Sequence, residues 1–227
     1  MQNKENKCQI IETKDGSHSV ISKHFGEAYH SKFGAIQESK HVFIKAGLSL
    51  FLNKKKEISI LEIGFGTGLN ALLTFLETKK QPISIRYDTL EAFPLNLTEI
   101  TALNYPSLLG ITPEIWKRIH ESPWENEIPL STRFSLSKHQ ILFQEFTTKK
   151  HYDLIYYDAF APEAQPELWD IPILQNMYNF LNDDGILVTY CAKGYVKRNL
   201  KSVGFTIENI PGPPGKREMT RAIKTKQ

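Results

Sequence analysis

The sequence Leu61-Glu-Ile-Gly-Phe-Gly-Thr-Gly-Leu-Asn70 decides the fold. It completes a short β-type run that begins at Ile58, and it leads directly into a helical stretch over residues 69–78. Glycines in such a turn let a ligand approach the backbone closely, because no Cβ stands in the way. We therefore expect a strand, a ligand-binding turn and a helix to open an α/β domain here.

Strands and helices continue to alternate after this turn. Further strand candidates lie at residues 83–90, 140–143, 152–157 and 185–190, and helix candidates lie at residues 95–104, 168–181 and 195–202. This alternation predicts a doubly wound, mostly parallel sheet. The last two strand candidates, residues 205–210 and 219–223, have no helix between them. They predict an antiparallel hairpin at the sheet edge, which completes a seven-stranded sheet.

The residues before the sheet predict a small N-terminal extension. Residues 9–21 alternate around Asp15-Gly16, which is typical of a hairpin with a two-residue turn, and residues 35–52 have helical spacing. We therefore divide the chain into an extension, residues 1–57, packed on a core domain, residues 58–227. Residues 106–133 interrupt the alternation and predict an insertion with a short helix near residues 114–120.

Composition excludes several classes of protein. The 227 residues are 41% hydrophobic and 23% charged, as in an ordinary globular protein. No apolar run approaches the roughly 18 to 20 residues that span a bilayer, and residues 1–7 are polar, so we expect a cytoplasmic protein. Two cysteines, Cys8 and Cys191, cannot form a disulfide framework. Cys191 follows an apolar run and is interpreted as a core residue rather than a nucleophile, and the scattered histidines predict no metal site.

Positive charge is concentrated at the C-terminal end. The net charge is only +3, yet residues 193–227 hold nine Lys and Arg against two Glu, a net +7. A basic segment on a neutral domain suits a polyanionic partner, although a solvated face explains it equally well.

The glycine motif favours S-adenosylmethionine over a dinucleotide. Its spacing is Glu-x-Gly-x-Gly-x-Gly, whereas dinucleotide sites place two residues before the last glycine, and it lacks the Lys-Ser/Thr of a phosphate-binding loop. A carboxylate at Glu62 can face the ammonium of the methyl donor, where it would repel a phosphate. We assign the donor site to Glu62, Gly64, Phe65, Gly66, Gly68 and Asn70.

Acidic side chains follow the next predicted strands. Glu91 ends the second strand, where a carboxylate can accept both ribose hydroxyls of a nucleoside. Glu145 follows the third strand candidate and is placed near the adenine. Asp158 ends a buried strand, where a carboxylate is costly unless it has a partner or a function. The sequence therefore predicts donor contacts at all three residues and a catalytic role for Asp158.

Two segments are candidates for binding the acceptor. Residues 159–162, Ala-Phe-Ala-Pro, predict a lip over the transferred methyl group, in which Phe160 and Pro162 contact a base. Gly212-Pro-Pro-Gly-Lys-Arg-Glu-Met219 predicts a stiff loop whose Lys216 and Arg217 grip phosphate, and Lys193 is assigned to the same basic surface. Core packing of Phe160 and solvated charges on the loop are the alternative interpretations.

These elements together resemble the methyltransferase domain of the bifunctional MnmC enzymes and its stand-alone form, MnmD. The resemblance covers about residues 18–221. It rests on the glycine motif, on Asp158-Ala-Phe-Ala-Pro162 with Trp169, and on three further pieces: Glu27-Ala-Tyr-His-Ser31, Gly194-Tyr-Val-Lys-Arg198 and Lys216-Arg-Glu-Met219. The Asp-Ala-Phe-Ala-Pro and Lys-Arg-Glu-Met pieces are the most specific.

The resemblance implies a Rossmann-like class I fold and a definite reaction. S-adenosyl-L-methionine would methylate the amine of 5-aminomethyl(-2-thio)uridine at the tRNA wobble position, with Asp158 at the amine and with Gly64, Gly66 and Glu91 at the donor. Glu145 departs from the family pattern, which commonly has Asp. No flavin-binding oxidase domain follows in this sequence, so we expect no FAD and an aminomethyl substrate that is made elsewhere. We also expect no metal and no obligatory protein partner.

Three other functions fit parts of the sequence. An aminopropyltransferase shares the sheet and the aspartate after the fourth strand, but it needs further acids for a polyamine, and the basic segment argues against that. A small-molecule methyltransferase leaves the basic segment and the insertion unexplained. A non-enzymatic module that binds tRNA or the donor predicts binding without turnover.

Overall fold

The computed structural model of the protein describes residues 9–226. Its strands are β1 (Gln9–Glu12), β2 (His18–Ile21), β3 (Glu57–Ile63), β4 (Ser84–Leu90), β5 (Glu127–Ser131), β6 (Phe134–His139), β7 (Tyr152–Tyr157), β8 (Leu181–Thr189), β9 (Thr206–Pro211) and β10 (Glu218–Ile223). Its α-helices are α1 (Ala35–Ser39), α2 (Leu69–Lys80), α3 (Leu97–Thr101), α4 (Tyr105–Leu108), α5 (Pro113–Glu121), α6 (Ile171–Phe180) and α7 (Gly194–Ser202). The predictions for residues 1–8, with Cys8, and for Gln227 lie outside this range.

The large sheet has the order β5-β6-β4-β3-β7-β8-β10-β9. Strands β6, β4, β3, β7 and β8 are parallel, and β10 is antiparallel to both β8 and β9. The predicted fold class and the antiparallel edge hairpin are confirmed. The prediction of seven strands is wrong by one, because β5 from the insertion pairs antiparallel with β6.

The third parallel strand lies earlier in the chain than expected. Residues 140–143 were expected to form it, but β6 ends at His139, where it pairs with Leu90. Alternating serines and Lys138 give β6 a polar appearance in the sequence, although Lys138 is only 1% exposed. Its Nζ lies 4.8 Å from the centre of the Trp124 ring and donates to the His120 carbonyl oxygen at 2.6 Å. Because a lysine is rarely buried in a strand, β6 was not recognised in the sequence.

The central strands are buried on both faces, as expected where helices cover a parallel sheet. Every residue of β7 is buried. In β3, Ile58 and Ile60 belong to one core cluster, and Leu61 and Ile63 belong to the cluster on the opposite face. Because side chains alternate across a strand, this one segment links the two halves of the core.

The N-terminal extension differs in detail from its prediction. The hairpin β1–β2 is present, but residues 13–17 connect its strands, with Thr13 N donating to Ser17 O at 2.8 Å, so the predicted two-residue turn is wrong. The predicted helix over residues 35–52 is divided into α1, a π-helical turn (Lys40–Lys45) and a 3₁₀ turn (Leu48–Leu50). The division of the chain after residue 57 stays a prediction.

Three further features of the structure bear on the sequence predictions. The short helix expected in the insertion is present as α5. No helix between residues 9 and 226 has the length and apolar character needed to cross a membrane. Cys191 is 4% exposed and packs in the core, and burial raises the pKa of its thiol.

Candidate active site

A cavity of about 340 Å³ lies at the carboxyl ends of β3, β4 and β7. Crevices at this edge of a parallel sheet are the usual ligand sites of doubly wound folds. Four segments form most of its lining: the glycine-rich turn after β3, residues 91–93 after β4, residues 158–161 after β7, and residues 27–32 of the N-terminal extension. The sheet and the extension therefore form the cavity together.

The glycine-rich turn presents backbone to the cavity. Gly64 has φ +94°, and a Cβ there would lie 2.6 Å from the carbonyl oxygen of Asp158. Gly66 has φ +48°, and a Cβ there would lie 2.8 Å from the Tyr29 ring. Both residues line the cavity with Phe65, whereas Gly68, the residue before α2, packs against His120 and does not line it.

Glu91 lies at the cavity wall, as predicted, and is 7% exposed. Its carboxyl oxygens accept hydrogen bonds from Gly66 N and Phe93 N, both at 2.9 Å. Burial raises the pKa of this carboxyl in spite of those donors. The carboxyl thus connects the glycine-rich turn with the turn after β4.

Glu62 lies beneath the glycine-rich turn and is not among the residues that line the cavity. It is fully buried, and its Oε2 accepts a hydrogen bond from Thr89 Oγ1 at 2.7 Å. Burial raises the pKa of Glu62 to about 8. Oε1 has no hydrogen-bond partner among the described residues.

Asp158 and Asn70 both line the cavity and are joined by a hydrogen bond. Asn70 Nδ2 donates to Asp158 Oδ2 at 2.8 Å, and the backbone N of Asp158 donates to Ile63 O at 2.9 Å. Burial, reinforced by the negative charge of Glu38, raises the pKa of Asp158 to about 7. Asn70 Oδ1 is buried and has no hydrogen-bond partner among the described residues. The pair combines a titratable carboxyl with a free acceptor beside one cavity.

Aromatic rings form the mouth of the cavity. The Phe160 ring centre lies 4.7 Å from that of Phe25 and 5.0 Å from that of Tyr29. Trp169, which is fully buried, donates from Nε1 to Phe160 O at 2.9 Å and thereby fixes the lip. Pro162 is buried and does not line the cavity. Our sequence reasoning missed Phe25 and Tyr29, although Tyr29 lies in one of the pieces that carry the resemblance.

The three residues predicted to contact phosphate, Lys216, Arg217 and Lys193, lie in different surroundings in the structure. Lys216 turns into the cavity, where its Nζ lies 3.0 Å from Glu38 Oε1. Arg217 and Lys193 are exposed and lie outside the cavity, and Lys193 forms an ion pair with Glu163. Sequence reasoning also missed Glu38, which no motif distinguishes.

Glu145 does not reach the cavity. It is exposed in the turn that follows β6, and it does not line the cavity wall. The cause is the position of β6, which ends at His139 rather than at the predicted residue 143. Phe143 lines the cavity in its place.

Comparison with known proteins identifies the family. A family model described as S-adenosyl-L-methionine-dependent methyltransferase matches residues 111–225. The chain belongs to this family. The bifunctional protein MnmC of Leptospira interrogans, named for tRNA 5-methylaminomethyl-2-thiouridine biosynthesis, is 33% identical over 215 residues, 88% of this methyltransferase. The protein of the same name from Aromatoleum aromaticum is 28% identical over 94% of it.

A solved structure has the same fold over nearly the whole methyltransferase. It is MNMC2 from Aquifex aeolicus, which is 28% identical, with a TM-score of 0.75 over 97% of this chain and 72% of that one. These matches confirm the resemblance to MnmC proteins. The methyltransferase spans about a third of the length of the curated MnmC relatives, 33% for the Leptospira protein.

The residues at the cavity fit the methyl donor. A Cβ at Gly64 would meet the carbonyl oxygen of Asp158, and a Cβ at Gly66 would meet the Tyr29 ring, so the turn keeps its shape at the cavity only as glycine. Asn70 Oδ1 is a buried acceptor without a partner among the described residues, and the Glu91 carboxyl lies at the cavity wall after β4. Among residues 9–226, no group of three or more His, Cys, Asp or Glu side chains is arranged to hold a metal ion.

Proposed function

We propose that this methyltransferase transfers the methyl group of S-adenosyl-L-methionine to the aminomethyl nitrogen of 5-aminomethyl(-2-thio)uridine at the tRNA wobble position. The product is 5-methylaminomethyl(-2-thio)uridine. The names of the MnmC relatives supply the product nucleoside, the resemblance to MnmC supplies the acceptor amine, and the family supplies the donor. The reaction needs neither a metal ion nor FAD, and we propose that it takes place in the cytoplasm without an obligatory protein partner.

The placement of Asp158 is the observation that carries this proposal. Its carboxyl lines the cavity beside the glycine-rich turn, and burial holds its pKa at about 7. A carboxyl with this pKa exchanges its proton near neutral pH, where an ordinary aspartate stays ionised. Such a group suits an amine acceptor, because an alkylamine is mostly protonated at neutral pH and must lose a proton to present a lone pair.

The mechanism depends chiefly on placement. When bound, S-adenosyl-L-methionine supplies a methyl group on a sulfonium, and the S–CH3 bond breaks as the N–CH3 bond forms. Asp158 accepts a hydrogen bond from the amine, orients its lone pair and takes or relays its proton. Asn70 Nδ2 fixes the carboxyl at 2.8 Å. Proximity and orientation of this kind lower a barrier by roughly 7 to 11 kcal/mol.

The remaining site residues receive proposed roles by position. Phe160, packed against the tilted rings of Phe25 and Tyr29 at the mouth, holds the uracil ring over the cavity. The exposed side chains of Arg217 and Lys193 contact tRNA phosphates outside the cavity. For Glu62, Gly68, Glu145 and Pro162, which do not line the cavity, we propose contacts to the ligands only through neighbouring residues.

Methyl transfer from labelled S-adenosyl-L-methionine to tRNA tests the proposal. The substrate is tRNA that carries aminomethyluridine and lacks the final methylation, and the matched control is the same tRNA transcribed without modification. We expect label in methylaminomethyluridine after nucleoside analysis and none in the control. Absence of label on substrate shown to carry the aminomethyl group would refute the tRNA assignment.

A further inference from the structure

The part of the cavity wall that holds Asp158 also contains an ion pair that the proposed reaction does not use. Glu38 from α1 and Lys216 from the loop before β10 both line the cavity with Asp158. Lys216 Nζ lies 3.0 Å from Glu38 Oε1, although 178 residues separate the two in the sequence. The fold therefore brings a second carboxylate and an ammonium to the wall that holds Asp158.

Both charges are held in place from more than one side. Glu38 is 8% exposed, and its Oε2 accepts a hydrogen bond from Ser31 N at 2.9 Å. The Lys216 ammonium also lies 3.8 Å from the centre of the Tyr190 ring, a cation–π distance. Tyr190 is in turn fixed, because its hydroxyl donates to Ala159 O at 2.8 Å. A merely solvated ion pair would not have this set of restraints.

We propose that Glu38 and Lys216 are positioning residues that set the proton occupancy of Asp158 by acting on it with opposite charges. This inference rests on the proposed function, in which Asp158 handles the proton of the acceptor amine. A like charge in a shared site favours the protonated carboxyl, and an opposite charge favours the ionised one. Burial raises the pKa of Asp158 most, and the Glu38 charge raises it further. The Lys216 charge lowers the same pKa.

Other groups also face Asp158, and none reproduces this opposed pair. The groups that act on it are Glu38, Asn70, Glu62, Tyr87, Tyr190 and Lys216. Tyr87 stays protonated, because burial raises its pKa well above the ordinary value. Glu27, His30, Lys32 and Glu91 also line the cavity but are not among the groups that shift the pKa of Asp158. Asn70 is uncharged and Tyr190 stays protonated, because burial raises its pKa well above the ordinary value. Glu62 lies behind the glycine-rich turn, and burial raises its pKa to about 8, so it is mostly neutral at pH 7. Glu38 and Lys216 thus remain as the charges to change.

The pH dependence of kcat/KM for methyl transfer tests the inference. With a pKa near 7 for Asp158, ionisation of this group alone makes the wild-type value about tenfold lower at pH 6 than at pH 8. In Glu38→Gln the ratio of the pH 6 to the pH 8 value should rise. In Lys216→Met it should fall. Titration of the substrate amine is the same for every protein, so it cancels from the comparison.

A second ion pair serves as the matched control. Lys197 Nζ lies 2.8 Å from Glu218 Oε1, near the same loop but outside the cavity. Lys197→Met and Glu218→Gln should leave the pH profile unchanged. Lys216→Arg keeps the charge and should retain the wild-type profile. If Glu38→Gln does not fold, Lys216→Met still tests the inference, because Lys216 is partly exposed and its loss should lower the ratio of the pH 6 to the pH 8 value.

Each outcome decides between the inference and the function on which it rests. Wild-type methyl transfer with shifts of opposite sign in the two variants supports both. Wild-type transfer with unshifted profiles, or with shifts of the same sign, overturns the charge pair and leaves the proposed function intact. Absence of methyl transfer by the wild type overturns the proposed function. In that case, carbon-13 NMR titration of the Asp158 carboxyl in the free proteins still tests the charge pair.

Discussion

Glu62→Gln should stabilise the protein, and increasingly so as the pH rises. The Glu62 carboxyl is fully buried, and burial raises its pKa from an ordinary 4.5 to about 8. A carboxyl whose pKa is higher in the folded state binds its proton more tightly there. Folding therefore becomes less favourable as the pH rises between the two pKa values, and the loss is complete above about pH 8.

The magnitude follows from the size of the shift. Raising the pKa from 4.5 to about 8 corresponds to about 5 kcal/mol of lost stability at high pH, at about 1.4 kcal/mol for each unit. Most of this loss falls between pH 5.5 and pH 8.5, where we expect about 3 kcal/mol. Gln keeps an acceptor for the Thr89 hydroxyl and cannot ionise. Any cost of burying its amide N–H is the same at both pH values and cancels.

Urea unfolding of the wild type and Glu62→Gln at pH 5.5 and pH 8.5 measures this difference. The free energy of unfolding of the variant, relative to the wild type, should be about 3 kcal/mol more favourable at the higher pH. Asp158 titrates in both proteins, so its contribution cancels to first order. Glu127→Gln, which removes an exposed carboxyl, should show no such pH dependence. Equal pH dependence in the wild type and Glu62→Gln would refute the reasoning.

Three further variants test the site. Asp158→Asn should lower kcat/KM by roughly 10²- to 10⁴-fold in the labelled-methyl assay, with donor affinity by calorimetry nearly unchanged, and full turnover would exclude the proton role. Gly64→Ala should abolish measurable donor binding, because its Cβ would meet the Asp158 carbonyl oxygen at 2.6 Å. Gly26→Ala should retain donor binding, because Gly26 also has a positive φ, +70°, but its Cβ would have no atom within 4 Å. Trp169→Phe removes the hydrogen bond to Phe160 O. We expect the free energy of unfolding, measured with urea, to fall by about 1 kcal/mol and kcat/KM to fall as well. Wild-type values of both would show that the lip does not need this bond.

The sequence predicts the central sheet well because its signals there are local. The strand, glycine-rich turn and helix around residues 61–70 follow one another in the chain, and β-branched, aromatic or leucine residues form most of the neighbouring strands β4 and β7. Glu91 and Asp158 sit directly after such strands, so their place at the carboxyl edge follows from topology alone. Each of these predictions depends on neighbouring residues only.

Glu145 lies outside the cavity because β6 occupies an earlier stretch of the chain than its residue types suggest. The sequence of β6 alternates serine with apolar residues and ends in Lys138 and His139, so the apolar residues 141–143 look like the better strand. Lys138 is buried because Trp124 and the His120 carbonyl oxygen, both in the insertion, accept its ammonium. Burial lowers the pKa of this lysine to about 8. A partner from a different segment thus made a charged residue suitable for a central strand.

The part of the cavity around Glu38, Tyr190 and Lys216 could not be predicted for a related reason. Its parts come from the N-terminal extension, the end of β8 and the loop before β10, and no local pattern connects them. Lys216 looked like a phosphate contact because it adjoins Arg217 in a basic segment, yet only Arg217 points away from the cavity. The two neighbours face opposite surroundings because Glu38 and Tyr190 hold the Lys216 ammonium. The charge of the basic segment is therefore divided between the cavity and the outer surface, and its net value overstates what is available to bind RNA.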